Sequence, residues 1–266
     1  MSDLLIRNRA PDADGLVHRV TPESAGWTHV GFEVWRLNPG QRLSAETGHR
    51  EACLVLIGGR ADIRSGSVAV ENYGERDDPF AGPPHSFYVP AGDRYEVVAR
   101  TPLELAVCTA PGSAGARPAR AIPPDSIDLF TRGSSTNTRH VRDILPETKP
   151  ADGLLVVEVI TPSGSWSSYP SHKHDTDNLP EESRLEETYY HRLNPAQGFA
   201  LQRVYTDDRS LDAVMAIEDG DLTLVPRGYH PVGAAHGYDL YYLNVMAGPK
   251  RTWRVYTEPA HRWLLG

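Results

Sequence analysis

The chain has 266 residues, of which 39% are hydrophobic and 23% charged, a composition typical of a globular protein with room for two domains. Its formal net charge is −8, and it has no basic block that could neutralise phosphates, which excludes nucleic acid as a partner. Residues 1–11 lack the apolar centre of a signal peptide, and no apolar run approaches the roughly 20 residues of a transmembrane helix. The sequence therefore predicts a cytoplasmic protein without a membrane partner.

Strand signals dominate the first half of the chain. The 23 glycines and 22 prolines favour short strands joined by turns, because both residues break helices. Segments rich in Val, Ile, Tyr and Thr, bounded by turn residues, predict strands within residues 29–37, 52–64, 67–74, 85–92, 95–100 and 103–110. Cys53 and Cys108 lie in these apolar segments and are predicted to be free, buried thiols.

The second half repeats this pattern. Strands are predicted within residues 154–162, 186–193, 198–206, 213–226 and 239–248, and no long segment has the apolar period of an amphipathic helix. FYVPAGDRYEV (residues 87–97) resembles TLVPRGYHPVG (residues 223–233), and both are apolar strands that end in Pro-x-Gly. Residues 111–150 are rich in Pro, Ala, Ser, Thr and Arg and are predicted to be a connector. We place the domain boundary near residue 145, giving domains 1–145 and 146–266.

The histidines do not follow the repeat. His172 and His174 form a His-x-His pair, Glu187 begins an aromatic strand, and His230 follows Pro226-Arg227-Gly228. In a strand, residues i and i+2 share a face, so the pair can direct two imidazoles to one point. Three histidines and a carboxylate around a divalent ion would leave positions for substrate, as in a catalytic site. Each residue taken alone also fits an ordinary loop or turn residue.

The order of these residues resembles the two motifs of the cupin superfamily. The resemblance implies an all-β bicupin fold of two tandem jelly-roll barrels, with a degenerate N-terminal barrel and a metal in the C-terminal one. Twelve residues separate His174 from Glu187, more than cupins usually have, so three other glutamates remain alternative ligands: Glu181, Glu182 and Glu186. If Glu187 is the ligand, residues 175–186 form an acidic surface loop.

Longer phrases narrow the resemblance to one family. SSYPSHKHD, LEETYYH, GFALQRVYTDDRSLD and VPRGYHPVGAAHGYDLYYLNVMAGPKRTWR resemble the 5-deoxy-glucuronate isomerase family of inositol catabolism. The resemblance spans nearly the whole chain and is densest in residues 167–254. It implies an aldose–ketose isomerase that converts 5-deoxy-D-glucuronate to 5-dehydro-2-deoxy-D-gluconate. The implied partner is a small deoxy-uronate.

This chemistry suggests roles for the predicted site residues. A divalent metal on His172, His174, Glu187 and His230 would bind two substrate oxygens; zinc is our prediction, with manganese, nickel and iron as alternatives. His236, in the loop after His230, is the candidate free imidazole for proton transfer. Strand alternation turns Tyr189 toward Glu187 as a second catalytic candidate, and it turns Lys173 away.

The substrate carboxylate requires a cation. Arg203 shares a strand face with apolar residues, which predicts burial beside an anion: either the substrate or a structural Asp or Glu. Arg227 is the second candidate, and Tyr241 is a further substrate contact unless it, like Tyr189, only fills the barrel. The resemblance also suggests that Arg139 closes the site.

Two other classes of function remain open at this point. The same ligands can hold Fe(II), so a bicupin dioxygenase is one alternative, and a non-enzymatic sugar-binding cupin is another. Exposed sheet edges would allow a homo-oligomer.

Overall fold

β-Strands dominate the computed structural model, which describes residues 4–265. The strands of the N-terminal half are β1 (Leu5–Ile6), β2 (Leu16–Val20), β3 (Gly31–Leu37), β4 (Arg42–Glu46), β5 (Arg50–Gly58), β6 (Ala61–Ser65), β7 (Val68–Tyr73), β8 (Ser86–Val89), β9 (Arg94–Ala99), β10 (Leu103–Pro111) and β11 (Arg120–Ile122). Those of the C-terminal half are β12 (Asp128–Arg132), β13 (Arg139–Leu145), β14 (Leu155–Thr161), β15 (Trp166–Ser167), β16 (His172–Lys173), β17 (Asp175–Asn178), β18 (Glu182–Arg184), β19 (Glu186–Asn194), β20 (Ala200–Tyr205), β21 (Asp212–Ile217), β22 (Leu222–Val225), β23 (Val232–Ala234), β24 (Asp239–Ala247) and β25 (Tyr256–Thr257). The all-β prediction is confirmed.

Helical segments are short. The helix α1 spans Pro22–Ala25, and 3₁₀ turns lie at Pro79–Ala81, Pro124–Ser126, Ser135–Asn137 and Pro259–Leu265. Within residues 4–265, no helix has the length and apolarity that crossing a bilayer requires.

The N-terminal unit comprises residues 9–128 and 143–156. It contains a six-stranded sheet of order β11-β8-β5-β10-β3-β2 and a four-stranded sheet of order β4-β9-β6-β7. Inward residues of both sheets form its apolar core, including Trp35 and Leu54 from the first sheet and Val97 from the second. From Ala52 onward strand β5 is apolar, as suits a strand that β8 and β10 flank and that is buried on both faces.

The C-terminal unit comprises residues 4–8, 129–142 and 157–265 of the described chain. Its larger sheet has seven strands in the order β1-β22-β19-β24-β14-β13-β12, and a second sheet has the order β15-β23-β20-β21. Two small ladders, β16-β25 and β17-β18, complete it. Strands β12, β13 and β14 each include a position where the chain passes between units, so the units are interleaved along the sequence.

The interleaving bears on the predicted boundary near residue 145, which lies at the end of β13. Residues 129–142 belong to the C-terminal unit, whereas residues 143–156 belong to the N-terminal one. The division into domains 1–145 and 146–266 follows the sequence repeat and stays a prediction. The compact units differ from it, because each unit includes one of these two segments from across the predicted boundary. Residues 111–150 were predicted to be a connector, but they contain three strands. β11 is part of the six-stranded sheet, and β12 and β13 are part of the seven-stranded sheet.

The internal repeat corresponds to equivalent strand neighbours. Strand β5 lies between β8 and β10, and β19 lies between β22 and β24. Ala52 of β5 pairs with Val89, and Glu187 of β19 pairs with Val225. Each valine is followed by Pro-x-Gly, so Ala52 occupies in the N-terminal unit the position that Glu187 occupies in the C-terminal one.

A buried carboxylate fixes the second segment of the N-terminal unit. Glu51 is fully buried, and its Oε2 accepts hydrogen bonds from Tyr88 Oη (2.6 Å) and from the backbone N–H of Asp152 (2.8 Å). Its Oε1 accepts from the backbone N–H groups of Gly153 and Leu154, each at 2.6 Å. These four hydrogen bonds stabilise a carboxylate whose burial would otherwise be costly.

We expect Glu51→Gln to lower the free energy of unfolding by about 2 kcal/mol, since an amide NH₂ group would face N–H donors and leave them unpaired. Urea denaturation of the full chain measures the change. Glu46→Gln is the matched control on the exposed side of the neighbouring turn, and it should stay within about 0.5 kcal/mol of the parent. Equal stability of the two variants would contradict this account of Glu51.

Candidate metal centre

Three separate segments of the C-terminal unit carry the predicted ligands. His172 lies in β16, whose ladder partner is the C-terminal strand β25, with His172 opposite Thr257. His174 follows β16, and Glu187 lies near the start of β19. His230 lies in the turn between β22 and β23. The strands therefore bring together residues that are up to 58 positions apart in sequence.

Glu187 is the centre of this group. Its Oε2 lies 3.1 Å from His174 Nε2 and 3.3 Å from His230 Nε2. One ligand atom from each of these three residues lies within 4.8 Å of the other two, and all three are buried. The ring of His172 lies 5.1 Å from the ring of His230, centroid to centroid. The four predicted ligands are thus neighbours.

The alternative glutamates lie elsewhere. Glu182 is buried, and its Oε1 accepts hydrogen bonds from the backbone N–H groups of Asp175 and Thr176. Glu181 is exposed, and Glu186 alternates with Glu187 along β19 and so points to the other face. The segment predicted to be an acidic surface loop instead contains the ladder β17-β18 and the buried Glu182. Lys173 Nζ lies 3.6 Å from the Glu182 carboxylate and compensates its charge.

Backbone carbonyls orient two of the imidazoles. His174 Nδ1 is 3.2 Å from the carbonyl oxygen of Leu185, and His230 Nδ1 is 2.8 Å from that of Gly228. A proton on Nδ1 that donates to a carbonyl leaves the Nε2 lone pair directed at Glu187. This is the arrangement of metal-binding histidines.

Burial keeps most of this group neutral. It lowers the pKa of His172 to about 3, with the His174 charge as a smaller cause, and it lowers the pKa of His230 to about 3. Burial acts in the same direction on His174, but the hydrogen bond and charge of Glu187 outweigh it and raise the His174 pKa. Neutral imidazoles are the form that binds metals.

These residues fit a divalent metal. Within residues 4–265, His230 Nε2 is buried without a hydrogen-bond partner, although Glu187 is close. A buried nitrogen lone pair beside a buried carboxylate is costly unless a cation binds both. Imidazole nitrogens with one carboxylate oxygen form a donor set that suits zinc and other first-row divalent ions.

A cavity of about 40 Å³ adjoins this group. Its wall includes two predicted ligands, two arginines, aromatic and apolar side chains, and two further polar residues: Arg132, Arg139, Val141, Val157, Val159, Ser168, His172, Glu187, Tyr189, Tyr242, Asn244 and Trp253. All of them belong to the C-terminal unit.

Arginines make one side of this cavity positive. The charges of Arg139 and Arg132 both act to lower the pKa of His172, so both guanidinium groups lie near the ligand group. Arg132 stacks over Trp253, with its guanidinium carbon 5.7 Å from the ring centroid. Arg139 is partly buried, and burial lowers its pKa. An anionic ligand would find complementary charge here.

Tyrosine hydroxyls line the wall beside Glu187. The hydroxyls of Tyr189 and Ser168 are 2.9 Å apart, and Tyr242 is hydrogen-bonded to Ser167. Burial, followed by the Glu187 charge, raises the pKa of Tyr189 well above its usual value. Tyr189 therefore keeps its proton near neutral pH and can donate it.

Three predicted site residues lie away from the cavity. His236 is exposed in the loop after β23, and Arg227 is exposed in the turn before His230; neither lines the cavity. Tyr241 is buried, but its hydroxyl donates to Glu158 Oε2 (2.9 Å). Alternation along β24 directs Tyr242 and Asn244 to the cavity, so Tyr241 points to the opposite face.

The predicted burial of Arg203 is wrong. Its side chain is 42% exposed and forms a bidentate pair with Asp212, at 2.8 and 2.7 Å. The prediction failed because Phe199 and Leu201, the apolar neighbours on its face, are themselves exposed. A structural aspartate is therefore its partner, one of the two alternatives that the sequence left open.

Arg132, Tyr242 and Asn244 were not identified from the sequence. In the β19–β24 ladder, Asn244 is opposite Tyr189 and Tyr242 is opposite His191, and opposite residues share a face. The pairing register would have identified both residues, but it depends on contacts between strands that lie about 50 positions apart. Arg139, suggested only by the family resemblance, does line the cavity.

Comparisons with known proteins agree with this architecture. Residues 4–264 match the model of the KduI/IolB family. The 5-deoxy-glucuronate isomerase of Geobacillus thermodenitrificans is 58% identical over 266 residues, covering 100% of this chain and 97% of that protein. The 5-deoxy-glucuronate isomerase of Bacillus subtilis strain 168 is 46% identical over 252 residues, covering 94% and 93% of the two chains.

Solved structures give the fold. An IolB-like protein from Salmonella typhimurium LT2 superimposes with a TM-score of 0.97 at 48% identity, covering 100% of both chains. Oxalate decarboxylase of Bacillus subtilis, which is described with Mn(II) centres, superimposes with a TM-score of 0.64 at 14% identity and covers 97% of this chain and 80% of its own. At that identity the likeness shows the fold alone, and the predicted bicupin fold is confirmed.

The two histidines near the Pro-x-Gly turn provide a matched test of the metal centre. We expect the parent to retain about one equivalent of divalent metal after dialysis, and His230→Ala to bind it at least tenfold more weakly, because a buried ligand is lost. His236→Ala removes an exposed imidazole and should retain the parental metal content. Elemental analysis by mass spectrometry measures both. Full metal retention in His230→Ala would contradict the ligand assignment.

Proposed function

The chain belongs to the KduI/IolB family, and we propose that it is a 5-deoxy-glucuronate isomerase that converts the aldehyde 5-deoxy-D-glucuronate to the ketone 5-dehydro-2-deoxy-D-gluconate. The observation that carries this proposal is the buried group of His174, Glu187 and His230, with His172 next to it, beside a cavity that two arginines make positive. An isomerase for an aldehyde acid needs two features: a group that stabilises charge on the carbonyl and hydroxyl oxygens, and cations that bind the carboxylate.

His172, His174, Glu187 and His230 would hold a divalent metal, for which we propose zinc. When bound, such an ion supplies a Lewis acid that stabilises negative charge on adjacent carbonyl and hydroxyl oxygens. The residues contribute by holding their lone pairs toward one point, through the backbone carbonyls behind His174 and His230. That fixed geometry removes the need for reorganisation during the reaction.

Arg139 and Arg132 would bind the substrate carboxylate. A guanidinium offers two parallel N–H donors to a carboxylate, and partial burial strengthens this pairing. Arg139 Nη1 donates to the backbone carbonyl of Asn137 at 3.0 Å, which fixes the guanidinium on the cavity wall. The acid group would then determine which end of the open-chain sugar lies beside Glu187.

Tyr189 is the proposed group for proton transfer between the substrate oxygens: it would donate its proton to the carbonyl oxygen and take back the proton of the adjacent hydroxyl. Aldose–ketose exchange moves one proton between adjacent carbons and another between their oxygens, so it needs a group that can donate to oxygen. Tyr189 lines the cavity, is hydrogen-bonded to Ser168 and remains protonated because burial raises its pKa. The exposed His236 does not line the cavity, and we assign no proton transfer to it.

We expect Arg139→Leu to raise KM for 5-deoxy-D-glucuronate at least tenfold with a smaller effect on kcat. The loss of a charge-assisted hydrogen bond of about 1.5–3 kcal/mol corresponds to roughly ten- to hundredfold in binding. Arg203→Leu is the matched control, because it breaks an exposed ion pair worth little, and its KM should stay within about twofold of the parent. Steady-state kinetics separate the two. A parental KM in Arg139→Leu would contradict this carboxylate site.

Removal of the metal tests the chemistry. We expect a chelator to abolish isomerisation and added Zn²⁺ to restore it, because the ion held by His172, His174, Glu187 and His230 would supply the Lewis acid for the substrate oxygens. The rate should be the same with and without oxygen, measured as ketone formed under argon and in air. Oxygen consumption matched to turnover would instead indicate a dioxygenase. Undiminished activity in fully metal-free protein would contradict a metal-assisted isomerase.

A further inference from the structure

The N-terminal unit contains a larger cavity than the metal centre does. It measures about 300 Å³, at the lower end of the roughly 300–1,000 Å³ range of small-molecule sites, and it opens at the end of the barrel formed by β3, β5, β9 and β10. Ala52 lies on its wall at the position that Glu187 occupies in the other unit. A methyl group in place of a carboxylate leaves this space open, and no second metal-ligating group occurs within residues 4–265.

Apolar and polar groups converge on this cavity. Val107 and Ala52 supply apolar surface, and both belong to the core of the unit. Glu33 faces the same interior. It lies two residues before Trp35 on β3 and therefore shares its face, and it pairs with Val107 of β10. Polar side chains make up more of the wall than apolar ones, which suits a ligand with many hydroxyl groups.

Tyr95 provides a polar group on the cavity wall. Its side chain is 4% exposed and lines the cavity. Burial, and then the charge of Glu33, raises the pKa of Tyr95, so the hydroxyl stays protonated. A protonated hydroxyl on a cavity wall can donate a hydrogen bond to a bound ligand.

The charges around the cavity select against acids. Glu33 accepts from Arg19 Nε (2.7 Å) and from Trp35 Nε1 (2.8 Å), which holds its carboxylate in place at the wall. Arg50 is engaged by the carbonyl oxygens of His29 and Thr109, at 2.5 and 3.0 Å. The wall holds four glutamates and one arginine, so an incoming carboxylate would meet an excess of acidic groups: Glu23, Glu33, Glu46 and Glu51 against Arg50.

We propose that this cavity is a second binding site, specific for a neutral polyhydroxylated molecule such as a sugar or polyol. Its hydroxyl groups donate to Glu33 and accept from Tyr95, and its carbon face packs on Val107 and Ala52. The site requires no metal, and it excludes the sugar acids that the positive cavity of the other unit accepts.

Calorimetric titration of the metal-loaded full chain tests this site. The probes are three neutral compounds, each with its matching acid: D-glucose with D-glucuronate, D-galactose with D-galacturonate, and D-glucitol with D-gluconate. We expect at least one neutral probe to bind saturably and at least tenfold more tightly than its acid. That binding should persist within twofold in His230→Ala, which separates it from the metal centre.

Variants of the cavity wall complete the experiment. Tyr95→Phe removes only the hydroxyl on the cavity wall and should weaken binding at least fivefold, and Ala45→Leu fills the opening and should abolish binding. Tyr73→Phe is the matched control, because Tyr73 Oη donates to the Ser86 carbonyl and does not line the cavity. The proposal is overturned if no neutral probe binds saturably, if the acids bind as tightly, or if Tyr95→Phe binds like the parent.

Discussion

The buried carboxylate of Glu187 is the constraint on which the C-terminal unit depends. An anion that is 2% exposed is costly unless its charge is compensated, and burial lowers the pKa values of His172 and His230 to about 3, which leaves both neutral. Only His174 has a raised pKa, because Glu187 is its hydrogen-bond partner. Neutral imidazoles around a buried carboxylate form a site that a divalent cation would stabilise, and the strands, the turn before His230 and the C-terminal ladder on β16 hold this arrangement.

The same strand neighbours support opposite chemistry in the two units. In one, β19 presents Glu187 to His174 and His230, and arginines make the adjoining cavity positive. In the other, Ala52 occupies the equivalent position, and the cavity is larger, free of a metal-ligand group among the described residues and bordered by Glu33. A duplicated fold can therefore retain its architecture while the inward residues change, because the strand pattern depends on burial and not on which polar group faces inward.

Prediction from sequence succeeded where a local pattern controls the outcome. Strand alternation predicted that Tyr189 shares a face with Glu187, and both line the cavity. It also predicted that Lys173 points away from the ligands, and Lys173 Nζ contacts Asp175 at 2.8 Å, outside the ligand group. It failed where exposure depends on another strand: Arg203 has apolar neighbours in sequence, yet their face of β20 is open to solvent. It also missed Tyr242 and Asn244, because only the β19–β24 register shows that they face the cavity.

The sequence by itself determined the all-β class, the repeat, and the order of His-x-His, Glu and Pro-x-Gly-x-His, since strand periodicity and turn residues are encoded over short distances. Tertiary structure alone decided which glutamate stands beside the histidines, which arginines line the cavity, and which segments belong to each unit. These outcomes depend on pairing between distant strands, in which a shift of one residue turns every side chain to the opposite face. Glu187 and Glu186 differ by one such step, and only the pairing of Glu187 with Val225 and Met246 directs Glu187, rather than Glu186, toward the histidines.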